Sequence, residues 1–136
     1  MRFQRVLFVV PNLKGFYSAP GYPHPGVGYI IASLEAQGVQ CDVLDMFLGY
    51  GHSDLDAKIE SFRPDLVGFT VYSYRRTAAF SLAQRVKERH SLPVVIGGPH
   101  VSLVRGKALE ESGADYAIVH EGERSLVGLC MGEPFS

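Results

Sequence analysis

Five short apolar runs, separated by segments whose apolar residues recur at helical spacing, constrain the fold of this 136-residue chain more than any other feature. The runs are Arg5–Val10 and residues 39–44, 66–71, 94–96 and 116–119. Each is strand-length and bounded by Gly, Pro, Asn or Asp, the pattern of strands buried on both faces of a parallel sheet. After the first run and a long loop rich in Gly, Pro and Tyr, Val27, Ile30, Ile31 and Leu34 form the i, i+3, i+4, i+7 stripe of a core-facing helix. Gly38 stands where a helix C′ glycine belongs. Further helices are predicted over residues 53–62 with Ser53 as N-cap, over 77–89, over 101–112 with Gly113 behind it, and from Glu123 to a stop at Gly132 and Pro134. Strands alternating with helices require right-handed crossovers. The expected fold is therefore α/β, a Rossmann-like (flavodoxin-like) doubly wound parallel five-stranded sheet of order 2-1-3-4-5.

The length suits one domain, and a hydrophobic fraction of 46% with 20% charged residues is that of a globular protein. Thirteen basic residues against fourteen acidic ones, with no basic stripe, argue against nucleic acid as a partner. The apolar runs fall far short of the ~18 residues of a membrane span. The N-terminus enters a strand at once and lacks a signal-peptide pattern. Cys41 and Cys130 are solitary, which points to neither a disulfide framework nor a zinc site. A reducing cytoplasm is the expected compartment.

In open α/β sheets, ligands lie beyond the carboxyl ends of the strands, and the unusual residues of this chain gather there. Pro23-His24-Pro25-Gly26-Val27-Gly28 follows the first strand, Thr70-Val71-Tyr72-Ser73 ends the third, Gly97-Gly98-Pro99-His100 ends the fourth, and Glu121-Gly122 follows the fifth. Glycines at 97 and 98 let a ligand approach the backbone closely. Known nucleotide motifs fit poorly. The G-x-x-x-x-G-K-[ST] phosphate loop is absent. Gly26, Gly28 and Asp45 hint at a dinucleotide fingerprint, but Ile31 takes the third glycine position and a long loop replaces the tight turn. A phosphoacceptor receiver needs acidic residues where Pro11-Asn12 and Thr70-Val71 stand.

The other polar residues carry bland readings beside sharper ones. His24, held between prolines, either aims its imidazole at a metal or, the preferred reading, is a rim residue; His100 is a helix cap or ligand contact, His120 a strand-end residue, and His52 and His90 are expected to face solvent. Glu121 and Glu123 meet the positive end of a helix dipole. Tyr72 and Tyr74 either wall a flat ligand or pack, and Arg75 and Arg76 bind an anion or stay solvated.

Four segments in order carry a resemblance: 23–30 (PHPGVGYI), 63–70 (RPDLVGFT), 94–100 (VVIGGPH) and 115–123 (DYAIVHEGE). Together they resemble the N-terminal cobalamin-binding domain of cobalamin-dependent radical S-adenosylmethionine enzymes. The resemblance implies a corrin ring on the carboxyl edge of the sheet with its nucleotide tail descending between strands. It implies room for the tail at Gly97 and Gly98, hydrogen bonds from Thr70 and Ser73, and residues 23–28 under the ring. Many cobalamin domains carry Asp-x-His-x-x-Gly, whose His ligates cobalt; here Tyr22 and Val27 stand in place of its Asp and Gly. No histidine is therefore expected to ligate the metal, and no residue of this chain to be catalytic. Relatives continue into a barrel whose Cys-x-x-x-Cys-x-x-Cys motif holds an iron–sulfur cluster that cleaves S-adenosylmethionine. This chain lacks that motif, so the resemblance implies one domain over 1–136, a fragment whose parent performs methyl transfer or cyclisation. Two rival readings stand beside it: a ligand-free doubly wound docking domain, and a nucleotide- or flavin-binding domain.

Overall fold

A computed structural model of the chain describes residues 3–10, 25–45, 52–70, 76–97, 112–118 and 122–132. The elements are β1 (Arg5–Val10), α1 (Pro25–Ala36), β2 (Gln40–Asp45), α2 (His52–Phe62), β3 (Leu66–Thr70), α3 (Arg76–His90), β4 (Val94–Gly97), β5 (Tyr116–Ala117) and α4 (Gly122–Met131). All strand pairs are parallel and the order is β2-β1-β3-β4-β5, as the alternating pattern predicts. The helix predicted over 101–112 and the loop after β1 lie outside the described residues. Ser53 is not a cap: α2 starts at His52, which puts Ser53 inside the first turn.

The alternation of side chains along each strand divides the core into two layers. Leu7, Val9, Val67, Phe69, Val94 and Ile96 face Leu55 and Ile59 of α2 and Phe80, Ala83 and Val86 of α3. Val6, Phe8, Val10, Leu66, Val95 and Ile118 face Leu34 of α1 and Leu126 and Leu129 of α4. Nearly all these residues are at most 7% exposed, which is why the strands read as unbroken apolar runs.

Chain reversals follow local chemistry. Gly38 adopts φ 87° after α1. The Val39 amide donates to the Leu34 carbonyl and the Gly38 amide to the Glu35 carbonyl, each at 3.0 Å. That is a Schellman motif, with Val39 buried beside Leu34 as its apolar contact.

At the amino edge of the sheet two aspartates act as clamps. The Asp65 carboxylate accepts from the Gln4 and Arg5 amides at 2.8 and 3.0 Å, and the Asp65 amide donates to the Arg5 carbonyl at 2.9 Å. Asp115 repeats the device at the β4/β5 pair. It accepts from the Val94 amide at 2.8 Å and from Lys87 Nζ at 2.7 Å, and its amide donates to the Val94 carbonyl. Each clamp satisfies strand-end amides that the ladder leaves open, and charge-assisted bonds of this kind are the stronger class.

Asp56 staples α2 to α3. Its carboxylate accepts from Arg85 Nη2 at 2.7 Å and from Arg89 Nη1 at 3.3 Å, and lies 2.9 Å from His90 Nε2. His90 is therefore only 15% exposed at its side chain, a correction to the solvent-facing position expected for it; His52 is exposed, as expected. The hydrogen bond from Arg85, with help from His90, lowers the Asp56 carboxyl from 3.8 to about 2. A carboxyl lowered on folding adds stability above its unfolded value near 4 and loses it as pH falls through about 2. Partial solvent access limits the gain to about 1–2 kcal/mol. Urea unfolding at pH 6 and at pH 2.5 is expected to show a larger loss for the wild type than for Asp56→Asn, and equal losses would refute the staple.

Candidate functional site

In a parallel sheet every strand ends at the same edge, and each following helix starts there. The described part of that edge comprises Val10, Asp45, Thr70, Gly97 and Ile118 on the strand side and the first residues of α1, α2, α3 and α4 on the helix side. The strand order reverses between β1 and β3, whose carboxyl ends open the crevice in which ligands of such sheets sit. Helices α1, α2, α3 and α4 all start at this edge, with the positive ends of their dipoles toward it. Pro25 is the first residue of α1, a position that asks for no amide donor.

The sequence-predicted site residues divide into two groups. Pro25, Gly26, Val27 and Gly28 form the first turn of α1, Thr70 ends β3, Gly97 ends β4 and Gly122 opens α4. These backbone positions converge on the one edge, as expected. Pro23, His24, Val71, Tyr72, Ser73, Gly98, Pro99, His100 and Glu121 lie outside the described residues. So do His120, Tyr74 and Arg75. Asp45 ends β2, the outer strand, two strands away from the crevice's β3 side.

Gly97 is the best-defined point of the site. Its backbone is in register with Thr70. Among the described residues, a Cβ built on it would meet only the Cβ and carbonyl oxygen of Ile118, each at 3.7 Å, which is ordinary contact. Ile118 belongs to the layer under α1 and α4, so the bare face of Gly97 looks into that layer. Gly68, one row deeper on β3, is different. A Cβ there would lie 3.3 Å from Phe8 Cδ1 and 3.4 Å from Val95 Cγ1, so the Phe8 ring already takes the space that this glycine leaves.

Among the described residues no group of three or more His, Cys, Asp or Glu side chains is placed to hold a metal ion. Burial pushes the Cys130 thiol up to about 12 and, with Glu35 nearby, the Cys41 thiol up to about 12 as well. Both sulfurs are held as thiols at neutral pH, which leaves neither activated as a nucleophile. None of the described helices is long and apolar enough to cross a membrane.

Sequence reasoning gathers these positions at one edge but cannot separate Gly68 from Gly97, since both follow strand residues and both stand within the four segments. The clamps Asp65 and Asp115 also belong to those segments, and the structure puts them at the opposite edge from the site.

Comparison with known proteins gives a consistent picture. Residues 18–129 match the B12 binding domain family. A curated relative, cytidylyl-2-hydroxyethylphosphonate methyltransferase of Streptomyces wedmorensis, is 28% identical over 93% of this chain. The chain spans only 28% of that relative's length. The radical S-adenosylmethionine methyltransferase TsrM of Kitasatospora setae shares the fold with a TM-score of 0.82 and 23% identity, over 96% of this chain and 26% of TsrM. The cobalamin-dependent S-adenosylmethionine radical enzyme OxsB, solved with aqua-cobalamin and S-adenosylmethionine bound, shares it with a TM-score of 0.80 and 18% identity, over 96% of this chain and 19% of OxsB.

Proposed function

The chain belongs to the B12-binding domain family, and from that premise we propose that it is a cobalamin-binding module, one domain of a longer radical S-adenosylmethionine protein. The observation that carries the reading is the bare end of β4 at Gly97, which faces the α1/α4 layer at the edge where the helices begin.

The residues present suit a corrinoid. A corrin has a broad apolar macrocycle ringed by amides and a nucleotide tail with a phosphate. The crevice supplies an apolar row in Val10 and Ile118, a glycine over which a narrow tail can pass, and helix-start amides for amide oxygens and phosphate. Residues 25–28, Thr70, Gly97 and Gly122 would hold the group from the described elements. Pro23, His24, Val71, Tyr72, Ser73, Gly98, Pro99, His100 and Glu121 would complete the site. His24 is assigned to the rim, because the Asp-x-His-x-x-Gly pattern of a cobalt ligand is absent.

Bound cobalamin supplies a cobalt able to carry a methyl group. The work of this chain is to seat the corrin, keep its tail out of water and leave the outer face free for a partner. We assign that partner as a radical S-adenosylmethionine barrel in the remainder of the protein, which would hold the iron–sulfur cluster and S-adenosylmethionine. The overall reaction is then methyl transfer or cyclisation. The fold shared with TsrM and OxsB and the methyltransferase relative of Streptomyces wedmorensis support this assignment.

Titration of the purified chain with hydroxocobalamin is expected to give saturable binding with altered corrin absorbance. His24→Ala is expected to leave the bound spectrum unchanged. A flat titration would refute the module, and a changed spectrum in the variant would make His24 a cobalt ligand.

A further inference from the structure

The two glycines on the α1/α4 side of the sheet are not equivalent, and the difference bears on which corrinoid fits. Gly97 ends β4, and among the described residues its bare face meets only Ile118. Gly68 lies on the neighbouring strand, paired with Val95, two residues before the Thr70–Gly97 pair. At about 3.3 Å per residue it is about 7 Å deeper in the layer. A chain of atoms entering over Gly97 and descending along the sheet reaches the row Phe8, Gly68, Val95 next. That row is filled. The Phe8 ring lies against Gly68, is 6% exposed, and packs in one cluster with Leu34 of α1 and Leu126 and Leu129 of α4.

We propose that Phe8 is the floor of the slot for the corrinoid nucleotide tail, and so sets how deeply the lower base enters and how strongly its bulk counts in binding. The inference rests on the cobalamin reading above. With the floor one row below Gly97, a bulky bicyclic base finds room for only part of its surface. The tail then adds little affinity beyond what the corrin itself contributes. Shrinking the side chain at position 8 opens volume beside Gly68, where no Cβ stands in the way, and the base gains apolar contact there.

The test compares hydroxocobalamin, which carries the benzimidazole nucleotide, with cobinamide, which lacks it. Affinities are measured by corrin absorbance for the wild type, Phe8→Leu and Phe8→Ala. The wild type is expected to bind the two within about tenfold of each other. In Phe8→Ala the advantage of cobalamin over cobinamide should grow about tenfold, and in Phe8→Leu about threefold in the same direction. Because loss of the whole ring from a buried cluster can prevent folding, circular dichroism is recorded for each variant, and Phe8→Leu decides the matter if Phe8→Ala does not fold. An unchanged ratio in a folded variant overturns the role of Phe8 while leaving the cobalamin reading intact. A wild type that binds neither corrinoid overturns both.

Discussion

Gly97→Trp is expected to reduce hydroxocobalamin affinity at least about 100-fold, roughly 2.7 kcal/mol, while the domain stays folded. Gly97 stands at the end of its strand and is partly exposed, and among the described residues only Ile118 lies within 4 Å of a built Cβ. Bulk added there projects into the crevice and displaces no core side chain, so unfolding in urea should change by no more than about 1 kcal/mol. Gly97→Ala is the matched control. Its methyl fits at 3.7 Å from Ile118, and both folding and corrinoid binding should survive with a modest loss of affinity. If Gly97→Trp binds cobalamin as tightly as the wild type, the ligand does not pass over the end of β4 and the site is misplaced.

The opposite outcome is expected one row deeper. Gly68→Val should cost about 2–3 kcal/mol of stability, because Cβ alone would sit 3.3–3.4 Å from the Phe8 ring and Val95 and the two γ-methyls have nowhere to go. Gly68→Ala should fall near neutral. A tight but yielding contact with the ring offsets the roughly 0.5–1 kcal/mol that glycine loses to chain entropy in a strand. Urea midpoints of Gly68→Val, Phe8→Leu and the double variant give the coupling directly. The double variant should be more stable than the sum of the single losses predicts. Additive losses would mean that Phe8 does not fill the space above Gly68.

These two glycines show where sequence reasoning stops. Each ends or interrupts an apolar run, each lies in a segment resembling cobalamin domains, and their local sequences do not tell them apart. What separates them is a cross-strand neighbour sixty residues away: Phe8 on β1 reaches across Gly68, and among the described residues no comparable ring reaches Gly97. His90 is a similar case. At the end of a polar helix it looks solvent-facing, yet Asp56, thirty-four residues earlier, draws it into the α2/α3 contact. The aspartates of the 63–70 and 115–123 segments stand in the sequence beside candidate site residues. The structure uses them instead to hold strand starts at the far edge.

The strands, the helices between them, the Schellman turn at Gly38 and the parallel order 2-1-3-4-5 were all determined by the sequence itself. Those features depend on properties read over short windows: apolar period, turn residues, and the handedness that joins one strand to the next. The same alternation puts residues 25–28, Thr70, Gly97 and Gly122 at one edge, since a parallel strand and its following helix have no other way to meet. Only the tertiary structure decided which glycine is open and which is filled, which carboxylates clamp and which staple, and how two thiols became inert by burial. Each of those outcomes turns on distances between residues far apart in the chain, and such distances exist only once the sheet has brought them together.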